Sequence, residues 1–89
     1  MIEQSITIVN KLGLHARAAA KFVTTASEFN SDIQVARNGR IVNGKSIMGL
    51  MMLAAAKGTD IIVHINGDDE QQAFNTIEAL INDCFGEEE

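Results

Sequence analysis

The chain has 89 residues, of which 46% are hydrophobic and 21% charged, which predicts one small globular domain over residues 1–89. Its formal net charge of −5 and its lack of Trp and Tyr argue against nucleic-acid binding, which needs clustered cations and stacking aromatics. The single cysteine, Cys84, excludes an internal disulfide, and the spacing of the histidines and carboxylates predicts no metal site and no cofactor.

The first half of the chain predicts a strand, a helix and a hairpin. Apolar residues at positions 2, 6 and 8 share one parity and predict a half-buried strand over residues 2–9. After a break at residues 10–14, apolar residues recur at helical spacing from His15 to Phe29 and predict an amphipathic helix. Alternation around Ile33 and Val35 predicts a second strand. Asn-Gly at positions 38–39 then favours a type I′ turn into a short strand over residues 40–43.

The second half predicts two more helices around one strand. Ser46 is a suitable N-cap for a short helix that is apolar nearly all round. Residues 60–66 alternate as a strand, and Gly-Asp-Asp at positions 67–69 leads into a last helix. The apolar stripe predicted for that helix consists of Ala73, Phe74, Ile77, Leu80, Ile81 and Cys84. We expect the acidic residues 87–89 to fray. The order βαββαβα predicts an α+β fold with a four-stranded, largely antiparallel sheet and three helices on one face.

The N-terminus shows no signal-peptide pattern, because a charge and polar residues follow the first isoleucine. No apolar run approaches the length that a membrane span requires. We therefore expect a cytoplasmic protein without membrane insertion, and a monomer as the default state.

The sequence Gly-Leu-His-Ala-Arg at positions 13–17 carries the most chemical information. It places His15 where a loop meets a helix N-terminus, so unpaired backbone N–H groups such as that of Ala16 can bind an anion there. Arg17 adds a charge suited to phosphate oxygens, and neutral imidazole is a nucleophile near pH 7. The segment predicts a phosphoryl acceptor. From spacing alone, a surface histidine beside an arginine that pairs with acidic groups is an equal alternative.

Two segments resemble the HPr family. Residues 10–17 are similar to its active-site segment, residues 43–51 are similar to its regulatory-serine segment, and Lys-Gly-Thr at positions 57–59 also fits. The resemblance covers nearly the whole chain. It implies an open-faced β-sandwich whose His15 accepts phosphate at Nδ1 from enzyme I, charged by phosphoenolpyruvate, and passes it to an enzyme IIA. It also implies a role in sugar uptake, in nitrogen-related regulation, or in both.

One residue departs from the family pattern, which usually has proline after the arginine. Here the residue is Ala18, and the chain contains no proline. Alanine has the best helix propensity, so we expect the helix start to survive. It leaves the unfolded chain freer than proline would, which puts the positioning of the His15 loop in question.

The second helix predicts a regulated docking surface. Ser46 caps it and, by the resemblance, is a candidate phosphorylation site for an HPr kinase/phosphorylase. Ile47, Met48 and Met51 are predicted to be partly exposed for partner docking, because methionine adapts to differently shaped surfaces. Ordinary core packing of these side chains is an equal alternative. Leu50 is a better candidate for the core.

The sequence leaves one alternative to a phosphoryl carrier and disfavours two others. Residues 39–46 match the Walker A pattern, but their middle is strand-like and Gly39 belongs to the predicted turn, so we reject a nucleotide-binding site. A hydrolase that uses His15 lacks a nucleophile–base constellation. The alternative we retain is a small regulatory docking domain controlled by Ser46 phosphorylation. The leading interpretation is a carrier that takes part in transfer and is not a stand-alone catalyst.

Overall fold

The computed structural model describes residues 1–87, and Glu88 and Glu89, predicted to fray, lie outside the described residues. The predicted order of strands and helices is confirmed, with one 3₁₀ turn added after the last helix. The elements are β1 (Ile2–Thr7), α1 (Ala16–Ala26), β2 (Asp32–Arg37), β3 (Arg40–Asn43), α2 (Ile47–Met52), β4 (Asp60–Asn66), α3 (Glu70–Asn82) and the 3₁₀ turn (Cys84–Gly86). No helix among the described residues has the length and apolarity to cross a bilayer.

The strands form one antiparallel sheet in the order β1-β4-β2-β3, which confirms the predicted α+β fold. β4 is central: Ile65 lies opposite Ile2 of β1 on one side and opposite Ile33 of β2 on the other. The β-branched residues Ile61, Val63 and Ile65 of β4 share one face and are fully buried. The three helices cover that face, and the other face of the sheet stays open.

Helix α1 packs against α2 and α3, and its buried surface is built from small residues around one aromatic ring. Ala18, Ala19, Phe22 and Ala26 are all fully buried. Ala18, which stands where the family usually has proline, is therefore part of the core, and the helix start survives as expected. The helix ends at Ala26, and Phe29 beyond it is half-buried.

The hairpin between β2 and β3 has the predicted turn. Asn38 and Gly39 have φ values of 50° and 80°, and a type I′ turn needs both to be positive. β3 and the N-cap of the six-residue helix α2 occupy the rest of the Walker A match. That match is thus a hairpin followed by a short helix, and it does not form a phosphate-binding loop.

The C-terminal segment differs from the prediction. Helix α3 ends at Asn82, and Cys84 and Phe85 have φ values of 55° and 56° in the left-handed region. This reversal turns Phe85 fully into the core and leaves Cys84 half-buried, so the placement of Cys84 in the core stripe was wrong. The expectation that Glu87 frays was also wrong, because the turn carries it back onto the molecule.

We predict that Phe85→Ala lowers the free energy of unfolding by about 3–5 kcal/mol, since it empties a fully buried aromatic site. Cys84→Ala, at the neighbouring left-handed position, should change it by less than about 1 kcal/mol. Urea unfolding followed by circular dichroism measures both. Equal losses for the two variants would contradict this assignment of the core.

Candidate functional site

His15 is the N-cap residue of α1, with an extended backbone at φ −76° and ψ 178°. Its side chain is 26% exposed, and its ring makes no capping hydrogen bond to the helix. The N–H groups of the first helical turn have no carbonyl partner within the helix, and the helix dipole is positive there. An anion attached to the ring would therefore meet backbone donors at close range.

The loop before His15 is held against the segment that follows α2. The N–H of Leu14 donates to the carbonyl of Ala55 at 2.9 Å, and the N–H of Gly13 donates to the carbonyl of Asn10 at 3.2 Å. Gly13 has a φ of 69°, and a Cβ there would contact the Ala55 carbonyl oxygen and lie 2.9 Å from Cα of Ala56. Glycine is thus required both by conformation and by space, and the position of the His15 loop depends on it.

The carboxylate of Glu87 contacts the imidazole ring of His15. Its Oε2 is 2.6 Å from Nε2 of His15, and its Oε1 accepts a hydrogen bond of 2.9 Å from Nδ2 of Asn10. Asn10, which is fully buried, also donates from Nδ2 to the carbonyl of Gly13 at 2.8 Å. Lys21 secures the turn by donating from Nζ to the carbonyl of Phe85 at 2.7 Å. These contacts join residues from both ends of the described chain at one imidazole.

The Glu87 carboxylate is stabilised in its charged form. The hydrogen bond from Asn10 is the largest influence and lowers the pKa of Glu87 below its ordinary value, and the hydrogen bond with His15 acts in the same direction. Partial burial opposes this shift, since the side chain is 14% exposed. Glu87 is therefore ionised at neutral pH and presents an acceptor to the ring.

The other predicted residues of this site lie on the first turn of α1. Ala16 and Arg17 are both exposed, and the Arg17 guanidinium contacts no described residue by hydrogen bond or ion pair. The second histidine, His64, is far along the chain on β4 and has its own partner, with Nδ1 3.2 Å from Oε1 of Glu3.

Ser46 caps α2 as predicted, and its Oγ accepts a hydrogen bond of 3.1 Å from the N–H of Gly49. Leu50 is fully buried, whereas the outer side of the helix is exposed to solvent, with Met48 exposed by 72%. We call this exposed surface the methionine patch. It consists of Ile47, Met48, Met51 and Met52.

The sequence argument assigned no role to four residues of these two surfaces. Asn10 and Leu12 belong to the segment that resembled the active site, but they had no assigned role; Leu12 is strongly exposed in the His15 loop. Glu87 carried no signal at all, because a run of glutamates is typical of a solvated terminus. Met52 also joins the exposed side of α2.

Comparison with known proteins identifies the family. Residues 2–83 match the family described as "PTS HPr component phosphorylation site". Phosphocarrier protein HPr of Neisseria meningitidis serogroup B is 60% identical over 89 residues, which cover 100% of both chains. The crystal structure of HPr-C-His from Thermoanaerobacter tengcongensis matches with a TM-score of 0.95 and 48% identity over 100% of both chains.

A third similar protein is described as a dimer. Crh of Bacillus subtilis, 42% identical, matches with a TM-score of 0.76 over 94% of this chain and 97% of its own, and its crystal structure is described as a dimer with a swapped domain. The fold, the family match and the full-length relatives agree. The chain belongs to the HPr family. Its general role is that of a phosphocarrier in the phosphotransferase system.

Proposed function

We propose that His15 accepts a phosphoryl group from phospho-enzyme I and passes it to an enzyme IIA, in sugar uptake or in nitrogen-related regulation. The observation that carries this proposal is the partly exposed imidazole at the N-terminus of α1, with backbone donors directly beside it. Arg17 is exposed on the same turn and free to follow the transferring group. The family membership supports the same role.

The transfer itself needs only one nucleophilic nitrogen. The lone pair of His15 Nδ1 attacks phosphorus, the new P–N bond forms as the bond from phosphorus to the donor breaks, and the donor keeps that electron pair. The phosphoryl oxygens then accept hydrogen bonds from the N–H groups of Ala16 and its neighbours. The ring gains positive charge in this step, and passage to an acceptor reverses it.

A regulatory docking domain controlled by Ser46 is the second candidate. It is favoured by the methionine patch, which begins one residue after Ser46 and leaves large apolar side chains in solvent. The two functions are compatible, because a carrier has to dock with a donor and with an acceptor. HPr kinase/phosphorylase is the proposed source of a phosphate on Ser46.

We also propose that the working form is a cytoplasmic monomer. β1 is paired along its length with β4 of the same chain, from Ile2 opposite Ile65 to Thr7 opposite Asp60. A monomer therefore satisfies that strand without a second copy. The swapped dimer described for Crh is the alternative state for this fold, and sedimentation of the purified protein distinguishes the two.

Incubation with enzyme I and phosphoenolpyruvate should add one phosphoryl group, seen as a single mass increment, to His15. The increment should disappear in acid, because protonation makes the imidazole a better leaving group. His15→Ala should abolish it, and His64→Ala, which changes the other histidine of the chain, should keep it. Full labelling of His15→Ala would refute the assignment.

Arg17→Lys should slow transfer from enzyme I about tenfold and Arg17→Ala about 100-fold, since a charge-assisted hydrogen bond contributes about 1.5–3 kcal/mol. Neither change should move the free energy of unfolding by more than about 0.5 kcal/mol, because the side chain is exposed. Rapid-quench transfer assays and urea unfolding measure the two effects. Parent-like transfer in both variants would make Arg17 a surface charge without a role.

Ser46→Asp should retain the cap of α2 and the parent melting temperature, because Asp is as good an N-cap as Ser and its charge favours the helix N-terminus. It should weaken transfer from enzyme I, because a charge beside the methionine patch raises the desolvation cost of docking. Ser46→Ala should show the opposite pattern, losing about 1 kcal/mol of stability while transferring at the parent rate.

Thermal melts combined with transfer rates over a range of enzyme I concentrations test this pair. The expected effect of Ser46→Asp is a higher enzyme I concentration for half-maximal rate. A destabilised Ser46→Asp variant with unchanged transfer would leave Ser46 as a helix cap alone.

A further inference from the structure

The hydrogen bonds around Asn10 have a fixed direction. The carbonyl oxygen of Gly13 can only accept, so the atom of Asn10 that faces it at 2.8 Å must be the amide nitrogen Nδ2. The same nitrogen faces Oε1 of Glu87 at 2.9 Å and donates its second hydrogen there. Rotating the amide by 180° would set Oδ1 against two acceptors. The orientation of this buried side chain is therefore determined by the backbone of the His15 loop.

This direction continues through Glu87 to the ring. The carboxylate has no proton of its own at neutral pH and accepts at both oxygens, from Asn10 at Oε1 and from His15 at Oε2. A contact of 2.6 Å between Oε2 and Nε2 then requires that Nε2 carries the hydrogen. In a neutral imidazole the other nitrogen, Nδ1, must hold the lone pair.

We propose that Glu87, oriented by Asn10, is a positioning residue that holds the proton on Nε2 of His15 and leaves Nδ1 as the nucleophile. The inference rests on the proposed phosphoryl transfer for its functional meaning, but the tautomer itself is a property of the unphosphorylated protein. Once Nδ1 bears phosphate, Nε2 keeps its proton and the ring is cationic. The adjacent carboxylate offsets that charge during transfer, in the way that an acidic partner orients and supports a reacting histidine in other sites.

Glu87→Gln is the decisive variant, because a glutamine cannot accept at both ends. If its oxygen accepts from Asn10, its amide nitrogen donates to Nε2 of His15 and forces the proton onto Nδ1. If its oxygen faces His15, its amide nitrogen faces Nδ2 of Asn10, and two hydrogen-bond donors then repel each other. The variant should therefore favour the tautomer whose Nδ1 is protonated and cannot attack phosphorus.

The matched control is Glu78→Gln, which removes the same charge from an exposed position on α3. Imidazole ¹⁵N chemical shifts and ring couplings of the unphosphorylated proteins report the tautomer, recorded about two pH units above the ordinary pKa of histidine. His64 provides an internal reference in each spectrum. We expect the proton on Nε2 of His15 in the parent and in Glu78→Gln, and a population moved toward Nδ1 in Glu87→Gln.

Transfer from enzyme I should be about tenfold slower in Glu87→Gln and unchanged in Glu78→Gln, by analogy with the roughly 10–100-fold effect of residues that orient metal-bound histidines. Identical tautomer populations in all three proteins would overturn the proposal. A shifted tautomer with unchanged transfer would overturn the role of Glu87 in the reaction. Failure of the parent to accept phosphate, with the tautomer shift intact, would instead refute the proposed function.

Discussion

Burial of one face of the sheet is the constraint on which the rest of this structure depends. β4 lies between β1 and β2, and its inward residues Ile61, Val63 and Ile65 are fully removed from water. Each such side chain contributes about 1.5–3 kcal/mol when it is removed from water, and in a chain of 89 residues α1, α2 and α3 have to cover them. The helices have little freedom in where they can lie.

The site follows from that packing. Four small or aromatic side chains bury one side of α1 in the core. The helix begins directly after the loop that the N–H of Leu14 joins to the segment following α2. His15 is placed at the partly exposed N-terminus of this helix, where the backbone N–H groups have no partner within the helix. Phe85 fills the remaining part of the core, and its burial carries Glu87 to the imidazole. The segments that fill the core, α1 and the C-terminal turn, are therefore also the segments that position His15 and Glu87.

Much of this could be predicted from local sequence. β4 alternates over its full length, so the predicted bounds agree with Asp60–Asn66, and the Asn38-Gly39 turn and the Ser46 cap follow from rules that involve only a few neighbouring residues. The C-terminal turn could not be predicted in this way. Two consecutive non-glycine residues in the left-handed region are uncommon, and here burial of Phe85 and the hydrogen bond from Lys21, both tertiary contacts, stabilise them.

The site likewise combines features that local sequence predicts with one that depends on a long-range contact. The helix N-terminus and Arg17 were evident from spacing, because they lie within one turn of His15. The contact from Glu87 spans 72 positions in the sequence and depends on that unpredicted turn. Its acidic neighbours indicate solvent exposure, and no periodic pattern in the sequence contradicts them.

The long sequence separation between contacting residues also affects the folding rate. Pairing of Thr7 with Asp60 and the contact of His15 with Glu87 both close long loops, and such non-local contacts slow folding relative to helical bundles. Once folded, regions at a chain end open more often than central strands do. We therefore expect the contact between His15 and Glu87 to open more often than the strands of the sheet separate. Hydrogen exchange at the amides of the segment after α3 would measure how often this segment opens.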